Sequence, residues 1–263
     1  MVRGDLTHVC MLIATFIWFV LGFFVMRKVG KSVQNVVFVL LTLFCSGGIF
    51  FRYAMGLRPT LHFQWQTLAM QLMQVCNFNF VLLPLMLVPK FELARQYSVM
   101  FSMLCAATPF FSPPSAWAGL PWYDLQVLNS WLNHTCAVSL PLFMVAARRL
   151  KPQKKYALPV TLAVFFYFTA VAIVSYPLID FGILTADTSF SYVFKQDGIL
   201  IFKWLYRLIP VPYFYLYPLL PVLYLFFRFF AWAMKNYRTI PFAWRVSCAR
   251  LRAPLSDAMS VKK

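Results

Sequence analysis

Long apolar runs separated by short basic clusters set the pattern of this chain. Seven stretches, at about 9–26, 35–51, 67–88, 97–111, 125–147, 157–179 and 211–234, approach the ~20 apolar residues a helix needs to cross a ~30 Å hydrocarbon core. They predict an all-α fold, a polytopic membrane helix bundle of seven transmembrane helices. Residues 1–234 form its single bundle and 235–263 a basic cytoplasmic tail. The first run is too long for a signal-peptide core and lacks a small-residue cleavage site before Arg27, so it is expected to stay as an anchor. Pro218 and Pro221 fall inside the seventh run and predict a kink there.

Composition agrees with lipid as the solvent. Of 263 residues, 62% are hydrophobic and 12% charged, against roughly 25% charged in soluble domains, so a water-soluble domain is excluded. The net charge of +17 would suggest nucleic acid in a soluble protein, but the basic residues lie between the apolar runs. Alternating loops carry 17 Lys and Arg on one side and six on the other. By the positive-inside rule this puts the N-terminus outside and the C-terminus in the cytoplasm. The charge is then topological and phospholipid-facing, with no nucleic-acid partner, and the expected location is a plasma membrane of the bacterial type. The tail after Met234, with Phe242, Trp244 and Leu251 among arginines, reads either as an amphipathic segment on the membrane or as a disordered basic tail.

Two outer loops stand out. Residues 110–124, rich in Pro and aromatics, suit the headgroup level and are placed to cap a cavity. Residues 180–210 contain GILIFKWLYRLI, too short and charged to span but apolar enough to re-enter or lie flat.

Polar side chains deep in a membrane are costly and tend to face an interior or a wet cavity, so their positions point to function. Two runs hold most of them. The third carries Gln71, Gln74, Cys76, Asn77 and Asn79; the fifth carries Asn129, Ser130, Asn133, His134, Thr135 and Ser139. Cys76 and His134 each lie nine residues into their runs, which at 1.5 Å per residue is ~13–14 Å from the same outer boundary. Both runs point the same way, so neighbouring helices would bring thiol and imidazole to one level, the pairing that nucleophilic thiol chemistry needs. Asn77 and Asn79 are candidates to stabilise an oxyanion, and Ser130, four residues before His134, is a candidate to orient it. No carboxylate falls deep in a run to serve as orienter. His8 and His62 sit near outer boundaries and read as interfacial.

The six cysteines include no CxxC pair, and five fall in apolar stretches, which argues against a disulfide framework or a zinc site. There is no P-loop, dinucleotide fingerprint or HExxH, and no metal or cofactor is expected.

Cys76 is followed by an apolar run with Pro84, and His134 by a similar run with Pro141, LPLML against LPLFM. At these residues the chain resembles the YwaF-like integral membrane family, whose distant vertebrate relatives include a transmembrane acyltransferase that remodels ether phospholipids. The resemblance extends loosely over roughly residues 65–225, with its specific motifs in the two windows. It implies Cys76 as nucleophile, His134 as general base, and phospholipid or lysophospholipid as substrate. The chain has Gln74 where the family often has a His, and Asn129 where a second His often stands. The leading expectation is therefore an acyltransferase or transacylase working through a Cys76 thioester, or a lipase if water is the acceptor. A small-molecule transporter, or its substrate-binding membrane subunit, is the alternative from another class, because polar groups near midplane in two proline-bearing helices also suit a ligand site. A non-catalytic assembly partner is the third.

Overall fold

The computed structural model describes residues 5–54, 73–111, 119–183, 191, 193 and 200–236, and among these every regular element is a helix. Nine α-helices follow in order: α1 Leu6–Met26, α2 Lys31–Ala54, α3 Val75–Leu82, α4 Glu92–Tyr97, α5 Met103–Phe111, α6 Leu125–Ala146, α7 Ala157–Asp180, α8 Leu200–Leu208 and α9 Leu219–Asn236. Four helical stretches, Leu6–Met26, Lys31–Ile49, Lys154–Asp180 and Phe214–Asn236, are long and apolar enough to cross a membrane. Their outer faces expose Phe16 and Leu21 on α1, Leu40 and Leu43 on α2, Phe166 and Ile173 on α7, and Leu225 and Phe229 on α9. A bilayer accommodates such a surface and water does not.

The most polar long helix is the most enclosed. α6 runs for 22 residues and packs against α1, α2 and α5. Its asparagines, hydroxyls and histidine keep it out of the apolar set, and burial among other helices keeps them from lipid. Much of this polarity is satisfied locally. Thr135 Oγ1 donates to the Trp131 carbonyl (2.9 Å), and Ser139 Oγ to the Thr135 carbonyl (2.7 Å). Trp18 Nε1 donates to Ser139 Oγ (2.8 Å) and Trp131 Nε1 to Thr15 Oγ1 (2.9 Å), tying α1 to α6 twice. Two glycines set the spacing: a Cβ on Gly22 would lie 2.1 Å from the Phe143 ring, and one on Gly48 2.2 Å from Asn133 Oδ1.

At the end of the bundle carrying the α1–α2 turn, side chains close the structure. Gln34 Nε2 donates to the Met26 and Val29 carbonyls at 3.0 and 3.1 Å. Fully buried Gln96 donates to Glu92 Oε1 (2.7 Å) and the Lys151 carbonyl (2.9 Å) and accepts from the Gln153 N–H (3.0 Å). Arg95 pairs with Glu92 at 3.0 Å and also donates to the Arg149 carbonyl. The chain between α6 and α7 is thereby held against α4.

Three expectations change. The third run is not one continuous helix where it is described: Gln74 is extended (φ −82°, ψ 124°), α3 has eight residues, and a 3-10 turn over Leu83–Leu87 follows with Pro84 near its start. Proline has no N–H to continue the α ladder, which explains the change of pitch there. The fourth run begins earlier than expected, at Glu92, and continues into α5 through a π turn, Ser98–Ser102. The prolines of the seventh run fall at a helix start and not inside one, because α9 begins after Pro218 and Pro221 is its third residue, following a 3-10 turn over Phe214–Leu216. The first turn of a helix has N–H groups without intrahelical acceptors, so proline costs no hydrogen bond there. Gln71, His62, residues 112–118 of the aromatic outer loop and the basic tail beyond Asn236 lie outside the described residues.

Candidate active site

The start of α3 is set by a backbone anchor. Tyr167 Oη on α7 donates to the Met73 carbonyl (2.8 Å), and Ser191 Oγ also donates to it. Phe78, one turn on, stacks on Tyr167 with ring centroids 4.6 Å apart. Cys76 is therefore the second residue of a helix whose beginning is held from α7. Its Sγ is directed at the Cys105 carbonyl of α5, 3.9 Å away.

His134 is buried on α6, and its Nδ1 is 2.7 Å from the Ser130 carbonyl. A carbonyl only accepts, so Nδ1 carries the proton, and the neutral ring has its basic lone pair on Nε2. The partner at Ser130 is the main-chain carbonyl and not the hydroxyl. The imidazole meets the Phe80 ring edge to face, centroids 5.0 Å apart and planes at 81°.

The third and fifth runs touch through one ring contact, in which His134 stands opposite Phe80, four residues after Cys76 and so one helical turn from the expected level. Cys76 and Phe80 share one face of α3 and are ~6 Å apart along its axis. No hydrogen bond joins Cys76 to His134 among the described residues.

The remaining candidates divide. Asn79 is buried, and its Oδ1 accepts from Tyr97 Oη (2.9 Å) while Nδ2 has no partner. Asn77 Nδ2 reaches Gln74 Oε1 at 3.5 Å, at the limit of a hydrogen bond. Asn129 Nδ2 donates to the Gly48 carbonyl at 3.4 Å. Asn133 is fully buried with neither amide atom partnered, while its carbonyl accepts from the Cys45 thiol at 3.4 Å.

Two features were missed from sequence. His8, at the start of α1, is buried against protein, with Nε2 donating to the Phe110 carbonyl (2.9 Å) and its ring edge-on to Trp131, so it ties α1 to α5 and α6. A groove of about 890 Å³ runs beside α3, lined by Met73, Phe78, Leu82, Tyr97, Ala163 and Tyr167, with Lys90 and Glu92 at one end. Its walls are almost wholly apolar, and its volume falls in the ~300–1,000 Å³ range of ligand pockets. Cys76 lies on the other side of α3 from Phe78, two residues and 200° of helix away. The only sequence signal for the groove is the pair of small residues Ala163 and Ala170, one heptad apart on α7. Among the described residues no group of three or more His, Cys, Asp or Glu side chains is placed to hold a metal ion.

Searches against protein-family models, curated proteins and solved structures find no match to this chain.

Proposed function

We propose that this chain is a membrane-embedded acyltransferase or transacylase acting on phospholipid or lysophospholipid, with Cys76 as nucleophile and His134 as general base. The observation that carries the reading is the meeting of α3 and α6 at Phe80 and His134. It brings a thiol in the first turn of a helix and an imidazole with a basic Nε2 to successive turns of one face. The resemblance to the YwaF-like family in the same two windows supports the same pair. All seven apolar runs cross the bilayer in this reading, with the N-terminus outside and the C-terminus in the cytoplasm of a bacterial-type cell. The 17-to-6 distribution of Lys and Arg between the two sets of loops supports that arrangement.

The thiol proton passes to His134 Nε2 as sulfur attacks the ester carbonyl; a C–S bond forms, the C–O bond breaks, and the lysolipid leaves as its alcohol with the proton returned by the imidazolium. The acceptor hydroxyl then attacks the thioester and regenerates the thiol. Because His134 is one turn beyond Cys76, the imidazole must reach past Phe80, or substrate must bridge the ~6 Å between the turns. Amide donors from Asn77 or Asn79 would face the oxyanion.

Intact-protein mass spectrometry after incubation with phospholipid tests this directly. Wild type is expected to gain a hydroxylamine-labile acyl mass, Cys76→Ala none, and His134→Ala one that forms at least 100-fold more slowly. Wild-type acyl transfer preserved in both variants would overturn the mechanism. An absent adduct together with an absent lysolipid acyl-transfer activity would replace it with the transporter reading.

A further inference from the structure

We infer that α8 lies in the plane of the membrane boundary and that Lys203 and Arg207 on it form a binding site for the phosphate of an anionic phospholipid. This does not rest on the acyl-transfer reading.

The helix divides into three faces. At 100° per residue, Phe202, Leu205, Tyr206 and the following Ile209 fall within one arc of about 100°. Leu205 is only 6% exposed, and Phe202 and Tyr206 meet the ring of Tyr215 at 6.3 and 5.5 Å. That face is docked on protein. A second arc of about 60° holds Ile201, Trp204 and Leu208, at 52, 63 and 66% exposure. A third holds Lys203 and Arg207, four residues apart and therefore side by side, both exposed. The basic and exposed apolar arcs are centred roughly 115° apart. A helix lying flat at the boundary needs this division: headgroups on one side, acyl chains below and protein along the third.

Its place in the fold bears on its level. Leu205 of α8 belongs to a cluster that runs along the last ten residues of α7, from Val171 to Leu178 and Ile179, and takes in Tyr213, Tyr215 and Leu216 just before α9. α7 and the approach to α9 belong to membrane-length stretches, and Leu178, Ile179 and Leu216 are at the ends of them, near the boundary of the hydrocarbon. Neither Lys203 nor Arg207 makes an ion pair among the described residues, where the single pair is Arg95–Glu92. Two adjacent, exposed cations with no ion pair among the described residues, beside an apolar strip, complement a phosphate whose chains lie under Trp204 and Leu208. A neutral-lipid surface would explain the apolar strip alone and leave the paired cations without a counter-charge.

Hydrogen exchange on the full chain in nanodiscs reads this locally. Phosphatidylglycerol and phosphatidylcholine discs of matched chains are compared, with the segment around Gln153 as an internal control for basic sites elsewhere. Wild type is expected to exchange more slowly across Leu200–Leu208 in phosphatidylglycerol, by up to roughly 30-fold, which corresponds to ~1 kcal/mol for each of two basic residues at the surface. K203Q/R207Q should lose the difference and K203R/R207K keep it. Equal rates in the two lipids for wild type, or an undiminished difference in K203Q/R207Q, would overturn the site.

Discussion

Adjacent glycines on α2 offer a controlled test of the packing around α6. A Cβ on Gly47 meets nothing within 4 Å, whereas one on Gly48 would stand 2.2, 2.6 and 2.7 Å from Oδ1, Nδ2 and Cγ of Asn133. Gly47→Ala and Gly48→Ala gain the same helix propensity, about 0.5–1 kcal/mol. Their difference therefore isolates the clash. Inserting a methyl into a closed contact costs about 1–3 kcal/mol, so Gly48→Ala should be less stable than Gly47→Ala by that amount. SDS titration of the protein in mixed micelles, read by tryptophan fluorescence, measures it. Adding Asn133→Ala should remove most of the gap, because the obstructing amide is then gone, and a double-mutant cycle yields the coupling. Equal stabilities for the two alanine variants, or a gap that survives Asn133→Ala, would refute the placement of Gly48 against Asn133.

Other consequences are accessible to the same assay. Gln96→Leu should cost about 2–4 kcal/mol, because it leaves the Lys151 carbonyl and the Gln153 N–H without this partner and removes one of the two donors to Glu92 Oε1, the other being Gln153 Nε2. Loss of less than 1 kcal/mol would show that the α6–α7 connection is not held by this side chain. Trp131→Phe and Thr15→Val should couple by about 0.6 kcal/mol, the ordinary worth of a hydrogen bond between membrane helices, and additive effects would mean that the 2.9 Å bond does not form.

How much of this was legible in the sequence differs from element to element. The runs at 125–147 and 157–179 match α6 at Leu125–Ala146 and α7 at Ala157–Asp180 within a residue, because their ends coincide with charged or proline-bearing turns. The run at 67–88 failed as a continuous helix because averaged hydropathy does not register backbone conformation. Leu, Met and Val fill a 3-10 turn as readily as an α-helix, and Gln74 carries no signal that it is extended. Counting residues from a common boundary put Cys76 level with His134, whereas the ring contact puts Phe80 there. The packing of His8 was hidden for a different reason. Its partner is a main-chain carbonyl 102 residues away, which no local pattern encodes.

The polarity that singled out α6 has two components, and separating them predicts which substitutions touch chemistry. Thr135 and Ser139 use their hydroxyls on carbonyls one turn back, and Ser139 also receives the Trp18 indole. Their work is complete within the fold. His134 differs, because its hydrogen bond to Ser130 fixes the ring and leaves its basic nitrogen assigned to Nε2. Ser139→Ala should therefore lower stability by about 1 kcal/mol through the lost Trp18 bond while leaving the rate of thioester formation within twofold of wild type. His134→Gln should do the opposite, holding the fold near wild-type stability while slowing acylation at least 100-fold, because an amide cannot accept the thiol proton. Stability by SDS titration and acylation by mass spectrometry are measured on the same two proteins. If Ser139→Ala slows acylation as much as His134→Gln does, the polar face of α6 acts as one unit, and assigning the proton to His134 alone is wrong.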